Sequence, residues 1–125
     1  MSTKLHDVAD QAVLGQGLVP QTVTTSTNGT GVDLLAGDGS CFALQLVGAV
    51  GGTSPTLAGK IQESPDNATW TDVPNAAFPT VSAANSYQAV SFERTQRYLR
   101  YVGTVGGSSP SFAAAVVIGQ QKKQV

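Results

Sequence analysis

Two side chains in this sequence carry chemistry that no other residue can replace: His6, the only imidazole, and Cys41, the only thiol. Nucleophilic catalysis of the Ser-His-Asp or Cys-His kind needs an imidazole held rigidly beside its nucleophile. His6 stands in the segment least suited to that. A zinc site needs three or four His, Cys or carboxylate ligands, and one His with one distant Cys supplies no such set. Cys41 therefore reads as a small buried residue at the start of a strand. Glu63, Asp66 and Asp72 lie close enough in sequence to suggest the carboxylate pair of a glycosidase, which works only at a defined separation across a cleft. Around the polar turn Ser64-Pro65-Asp66-Asn67 they read instead as solvated acids. Gly37-Asp38-Gly39-Ser40 lacks both the spaced oxygen ligands of an EF-hand and the Gly-Lys-Ser/Thr of a P-loop, so it reads as a turn. Trp70 and Tyr87 are candidate sugar-stacking rings, although Trp70 also suits a core or seam position and the chain is poor in aromatics. The expectation is a protein with no catalytic residue, no metal and no cofactor, hence not an enzyme.

Arg94, Arg97 and Arg100, interleaved with Tyr98 and Tyr101, form the most basic stretch. Arg97 and Arg100 differ by an odd step, so on a regular strand they project to opposite faces and make no phosphate-tracking stripe. One is expected to pair with a carboxylate. The formal net charge of −1 and a pI near 5.6 argue in the same direction, because nucleic acid and anionic membranes both require a clustered positive field. Neither is expected as a partner. No apolar run is long enough to span a membrane, and the N-terminus lacks the apolar core of a secretory signal. The expected site of synthesis is the cytoplasm, with no signal peptide.

The elements that must position these residues are strands. With 125 residues the chain suits one domain, and a globule of that size buries roughly two-thirds of its unfolded surface. Short alternating apolar runs separated by Gly, Ser, Thr, Asn and Pro predict an all-β antiparallel sandwich of roughly eight short strands, jelly-roll-like, with an immunoglobulin-like sandwich as the alternative. Val47 to Ala58 returns 55 positions later as Val102 to Ala113. Each copy joins two alternating runs through Gly-Gly-(Thr/Ser)-Ser-Pro, which predicts two similar β-hairpins. Period two places Phe42, Leu44 and Leu46 on the core side of the first copy with Leu57, Gly59 and Ile61. Leu99, Tyr101, Phe112, Ala114, Val116 and Ile118 are the corresponding core set of the second.

The two copies differ on the opposite side, where Ala58, Lys60 and Gln62 of the first become Ala113, Ala115 and Val117 of the second. A strand apolar on both faces is covered twice, by its own fold or by another chain. Residues 1–20 are expected to lie outside the domain proper (21–119). Leu5, Val8, Ala9, Ala12 and Val13 recur at helical spacing, predicting a short helix or an arm that docks on a neighbour. Residues 120–125 read as a polar tail. The candidate contact residues are thus Leu5, Val8, Val13, Ala113, Ala115, Val117, Lys122 and Lys123.

Asn28 to Leu35, Val47 to Val73 and Arg97 to Phe112 together resemble the head decoration, or cement, proteins of tailed bacteriophages. These are small β-sandwich proteins of the virion. The likeness spans everything except the N-terminal arm and the tail, and it lies in turns and strands with no catalytic motif. It implies a jelly-roll-like fold on the outer capsid surface, the major capsid protein as partner, and self-association as a dimer or trimer. The alternative reading is a glycan-binding module of a tail fibre or baseplate, with Trp70 and Tyr87 as stacking residues.

Overall fold

Two long strands, paired with each other almost end to end, carry the fold. A computed structural model describes residues 12–122, and over them the chain is all-β and antiparallel. The strands are β1 (Ala12–Val23), β2 (Thr27–Asn28), β3 (Val32–Asp33), β4 (Gly37–Ser64), β5 (Thr71–Ala77), β6 (Ser86–Phe92) and β7 (Tyr98–Lys122). The class is the one expected, a single-domain antiparallel sandwich. Its construction differs from eight short strands, because β4 and β7 each run through both layers.

The duplicated motifs are not hairpin tips. They lie in the middle of β4 and β7 and face each other, with Gly51 opposite Ser111, Thr53 opposite Ser108 and Thr56 opposite Gly106. Positive φ at Gly52 (103°) and Gly107 (106°), and at Ser54 and Ser109 (both 48°), kinks each strand without ending it. The two glycines allow a close reciprocal approach. A Cβ on Gly52 would sit 2.5 Å from the Ser109 carbonyl oxygen, and one on Gly107 would sit 2.6 Å from that of Ser54. A hairpin and a kinked crossing demand the same local chemistry, so the motif alone predicts the wrong one of the two.

On either side of this crossing the paired long strands gather different neighbours. In the first layer β1 pairs with the Phe112–Gln121 part of β7, and β6 pairs with the Cys41–Val47 part of β4. In the second, β2 and β3 pair with the Tyr98–Gly103 part of β7, and β5 pairs with the Lys60–Glu63 part of β4. Each half of the chain, β1 to β4 and β5 to β7, therefore completes the sheet of the other half's long strand. The arrangement has a pseudo-twofold axis at the crossing.

The core lies between the layers. Leu57, Ile61, Leu99 and Tyr101 of the second layer meet Ala43, Val47, Val116 and Ile118 of the first. Tyr101 lies over the facing pair Gly59 and Gly103, where any Cβ would strike its ring. Its hydroxyl donates across the layers to Gln45 Oε1, and Gln45 Nε2 donates to Gln88 Oε1 at 2.8 Å. Burying the ring contributes about 1.5–3 kcal/mol, and the bond to Gln45 satisfies the hydroxyl, which burial keeps protonated well above the ordinary tyrosine pKa.

Four further expectations are corrected. Ala12 to Pro20, assigned above to an arm or helix, belong to β1, and Gln120 to Lys122, assigned to a tail, end β7 opposite Cys41 and Gly37. Phe42, Leu44 and Leu46 do not face the core: Cys41, Ala43, Gln45 and Val47 do, and Leu46 is 43% exposed. The cause is a register shift between Val47 and Val50, where one extra residue reverses the alternation in β4 but not in its copy. Glu63 is buried rather than solvated. Its carboxylate accepts from the Thr95 N–H at 2.8 Å, the Thr95 hydroxyl at 3.0 Å and the Gln96 N–H at 3.3 Å, tying down the turn before β7.

Candidate functional site

The reversal in β4 gathers one surface. On the outer side of the first layer, Leu44 opposes Val117 and Leu46 opposes Ala115 across the β4–β7 ladder. Across the β4–β6 ladder Leu46 opposes Tyr87 and Leu44 opposes Ala89. Leu14 of β1 opposes Gly119, and the Phe42 ring also lies over that glycine. The result is a four-strand face with no charged side chain among the described residues paired across it, Glu93 standing at its end where its carboxylate accepts from the Ser40 hydroxyl at 2.7 Å. Leu14 (53% exposed), Leu46 and Tyr87 (73% exposed) account for most of the large hydrophobic side chains the described residues leave open. Beside Leu46 and Tyr87 runs a shallow groove of about 620 Å³ whose floor is Ala113 to Ala115, with Gln21, Thr22 and Ser86 among its walls.

The outer side of the second layer serves as an internal control, because the pseudo-twofold makes it equivalent. There Lys60 opposes Val102 and Gln62 opposes Arg100. Lys60 Nζ donates to Asp72 at 3.1 Å, Gln62 Nε2 donates to Asp72 at 2.9 Å, and Arg100 donates twice to Gln62 Oε1. These bonds hold the Asp72 carboxyl below its ordinary pKa, Gln62 contributing more than Lys60. The Arg100 guanidinium lies 4.6 Å over the Trp70 ring. This face is polar and internally satisfied. Its counterpart is apolar and open.

Asp33, Asp66, Arg94 and Arg97 have structural partners. Asp33 accepts a bidentate pair of bonds from Arg97 at 2.8 and 2.7 Å, and its carboxyl falls to about 2, chiefly through Arg97 and then through the Leu35 N–H. Asp66 caps its turn by accepting from the N–H groups of Thr69 and Ala68 and from the Ser64 hydroxyl, which lower its pKa. Arg94 donates to the carbonyls of Leu34, Gly37 and Gln96 and to Gln120 Oε1, pinning both ends of the β3–β4 connection. Burial pushes the Cys41 thiol up to about 11. Among the described residues no three His, Cys, Asp or Glu side chains gather in one place.

Of the residues singled out from sequence, Ala113, Ala115 and Val117 lie on the uncharged face. Val13 opposes Gln120 and packs against the core, so it is not part of that face. Leu5, Val8 and Lys123 lie outside the described residues, and Lys122 is the last residue of β7. Tyr87 and Trp70 belong to different layers and form no common platform, and Arg100 covers one side of the Trp70 ring. Leu14, Phe42, Leu44 and Leu46 are the members of the face that alternation alone missed. A two-residue register test against β7, pairing each apolar run with both parities, would have found them.

Comparison of the chain with protein-family models and with curated proteins returns no match.

Proposed function

We propose that this chain is a structural virion protein: a jelly-roll-like capsid decoration protein that binds the outer surface of an assembled phage head and stabilises the contacts between major capsid proteins. The observation that supports this most is the uncharged outer face of the first layer, set against the charged and self-satisfied outer face of the second. Contiguous apolar surface on a small protein marks a protein contact. A ligand that binds the intact shell better than its separated subunits stabilises the shell by that difference, repeated over many copies. The face suits such a role because it is four strands wide and its paired strands carry no charges that would need partners.

The test is cosedimentation with mature heads that lack this protein. Wild-type chain is expected to sediment with them and to raise the temperature at which they release DNA. Ala115→Lys, which places a charge at the edge of the groove, is expected to lose both effects while its own melting temperature stays within a few degrees. Failure of the wild-type chain to bind any such head would refute the proposal. The glycan-binding reading rests on Tyr87 alone being open, and loss of glycan-array binding in Tyr87→Ala would favour it.

A further inference from the structure

A sheet edge presents unpaired backbone N–H and C=O groups, and soluble proteins protect such edges with bulges, prolines, charges or very short strands. Three of the four edges here carry such protection. β1 has two register shifts and contains Pro20. β2 and β3 are two residues each. β5 contains Asp72 and Pro74 and is shifted between its pairings with Lys60 and Gln62.

The fourth edge, β6, carries none. Ser-Tyr-Gln-Ala-Val-Ser-Phe runs seven residues in unbroken register against Val47 to Cys41, with no charge, no proline and no glycine, and among the described residues β6 pairs with no strand except β4. The Asn85 N–H donates to the Gly48 carbonyl at 2.9 Å, which fixes the phase of the ladder. Tyr87, Ala89 and Ser91 therefore bond to β4, and the backbone groups of Ser86, Gln88, Val90 and Phe92 point outward.

We infer that the β6 edge is completed by β6 of a second copy of this chain, antiparallel and related by a twofold axis at Ala89. The register fits. With Ala89 on the axis, Gln88 meets Val90 and Ser86 meets Phe92, so every residue with an outward N–H and C=O faces another of the same kind. No like charges oppose one another, which is the usual bar to a strand pairing with itself. The pairing also joins the two uncharged outer faces into one surface, with Tyr87 beside Ser91 of the other copy. A seven-residue edge buries less than the roughly 1,200 Å² of a standard interface, so the dimer is weak in isolation and forms at high protein concentration. It is independent of shell binding.

The experiment is analytical ultracentrifugation of full-length protein over a wide concentration range. Ala89 is exposed and faces its own copy across the axis, so Ala89→Glu and Ala89→Lys each bring two like charges together without touching the core. Wild-type chain is expected to show concentration-dependent dimer, each variant alone is expected to be monomeric, and an equimolar mixture of the two is expected to recover the dimer. That recovery requires the two Ala89 positions to lie beside each other, as the axis demands. A wild-type chain that stays monomeric at millimolar concentration overturns the inference, leaving the edge to a strand from another protein. A dimer that persists in Ala89→Glu but disappears in Ala115→Lys also overturns it, since the sheet face and not the edge would then be the contact.

Discussion

Gly52→Ala and Gly107→Ala test the crossing from which the fold is built. Each glycine has φ near +105°, a conformation that costs a residue with a side chain about 1–3 kcal/mol. Each also faces backbone of the opposite strand: a Cβ on Gly52 would lie 2.5, 2.8 and 2.9 Å from Ser109 O, Ser108 O and Pro110 Cα, and one on Gly107 would lie 2.6, 2.9 and 2.9 Å from Ser54 O, Pro55 Cα and Thr53 O. Backbone on both strands must shift to relieve such contacts. The two terms together predict a loss of about 2–4 kcal/mol for either variant, a large part of the 5–15 kcal/mol that holds a typical domain folded. In urea titration, with a slope of about 2 kcal/mol per molar, the midpoint should fall by about 1–2 M.

The pseudo-twofold adds a sharper condition. The two single variants should cost nearly the same amount, and the double variant should cost less than their sum, because a crossing already pushed apart by one Cβ accommodates the second. Had each motif been a separate hairpin tip, the two losses would be small, unrelated and additive. Equal losses below about 0.5 kcal/mol, or strict additivity, would refute the crossing.

Other expectations follow from the same contacts. Tyr101→Phe leaves Gln45 Oε1 buried without its donor and should cost about 1–3 kcal/mol in thermal or chemical melts, more than the same change at the exposed Tyr87. Asp33, Asp66 and Asp72 all have lowered pKa values. Stability from them is complete above the unfolded carboxylate value near 3.9 and is lost as pH falls through their folded values, about 2 for Asp33. Melting temperature should therefore decline between about pH 4 and pH 2, and less steeply in Asp33→Asn. Cys41, buried and protonated at pH 8, should resist a thiol reagent in the folded protein and react once it is unfolded, as stopped assays with and without denaturant would show.

Much of this architecture can be read from the residues. Leu57-x-Gly59-x-Ile61 and Phe112-x-Ala114-x-Val116-x-Ile118 alternate cleanly, and both face the core where period two puts them. The odd step between Arg97 and Arg100 does not separate them as alternation suggests, because Arg97 precedes β7: it bonds to Asp33, which opposes Tyr98, and lies over the Tyr98 ring, while Arg100, on the same side of β7 as Tyr98, bonds to Gln62 and stacks on Trp70. What fails is everything that depends on pairings distant in sequence. Gly-Gly-x-Ser-Pro specifies a kink, and only the ladder between Thr53 and Ser108 decides that the strand continues past it. A single bulge after Val47 likewise reverses Leu44 and Leu46, and no local propensity marks its position. The strand Ala12–Val23 was hidden for a related reason, since apolar residues at helical spacing include Val13, whose inward direction is set by its partner Gln120.

The duplication makes the difference between the two outer faces informative in a way that an isolated apolar patch is not. After the kink both copies supply the same inward residues, because both build the same core: Leu57 and Phe112, Ile61 and Val116 are all buried. Folding places no comparable demand on the outward positions. Lys60 and Gln62 show that a charged, hydrogen-bonded face is compatible with this backbone at the positions where Ala115 and Val117 stand in the other copy. The apolar choice in the first layer is therefore unnecessary for the fold, and it carries the cost of leaving Leu14, Leu46 and Tyr87 in water. The unprotected β6 edge borders that same face and no other. Two departures from what a solitary sandwich requires thus meet on one side of the molecule, and the proposed contact with another chain on that side would account for both.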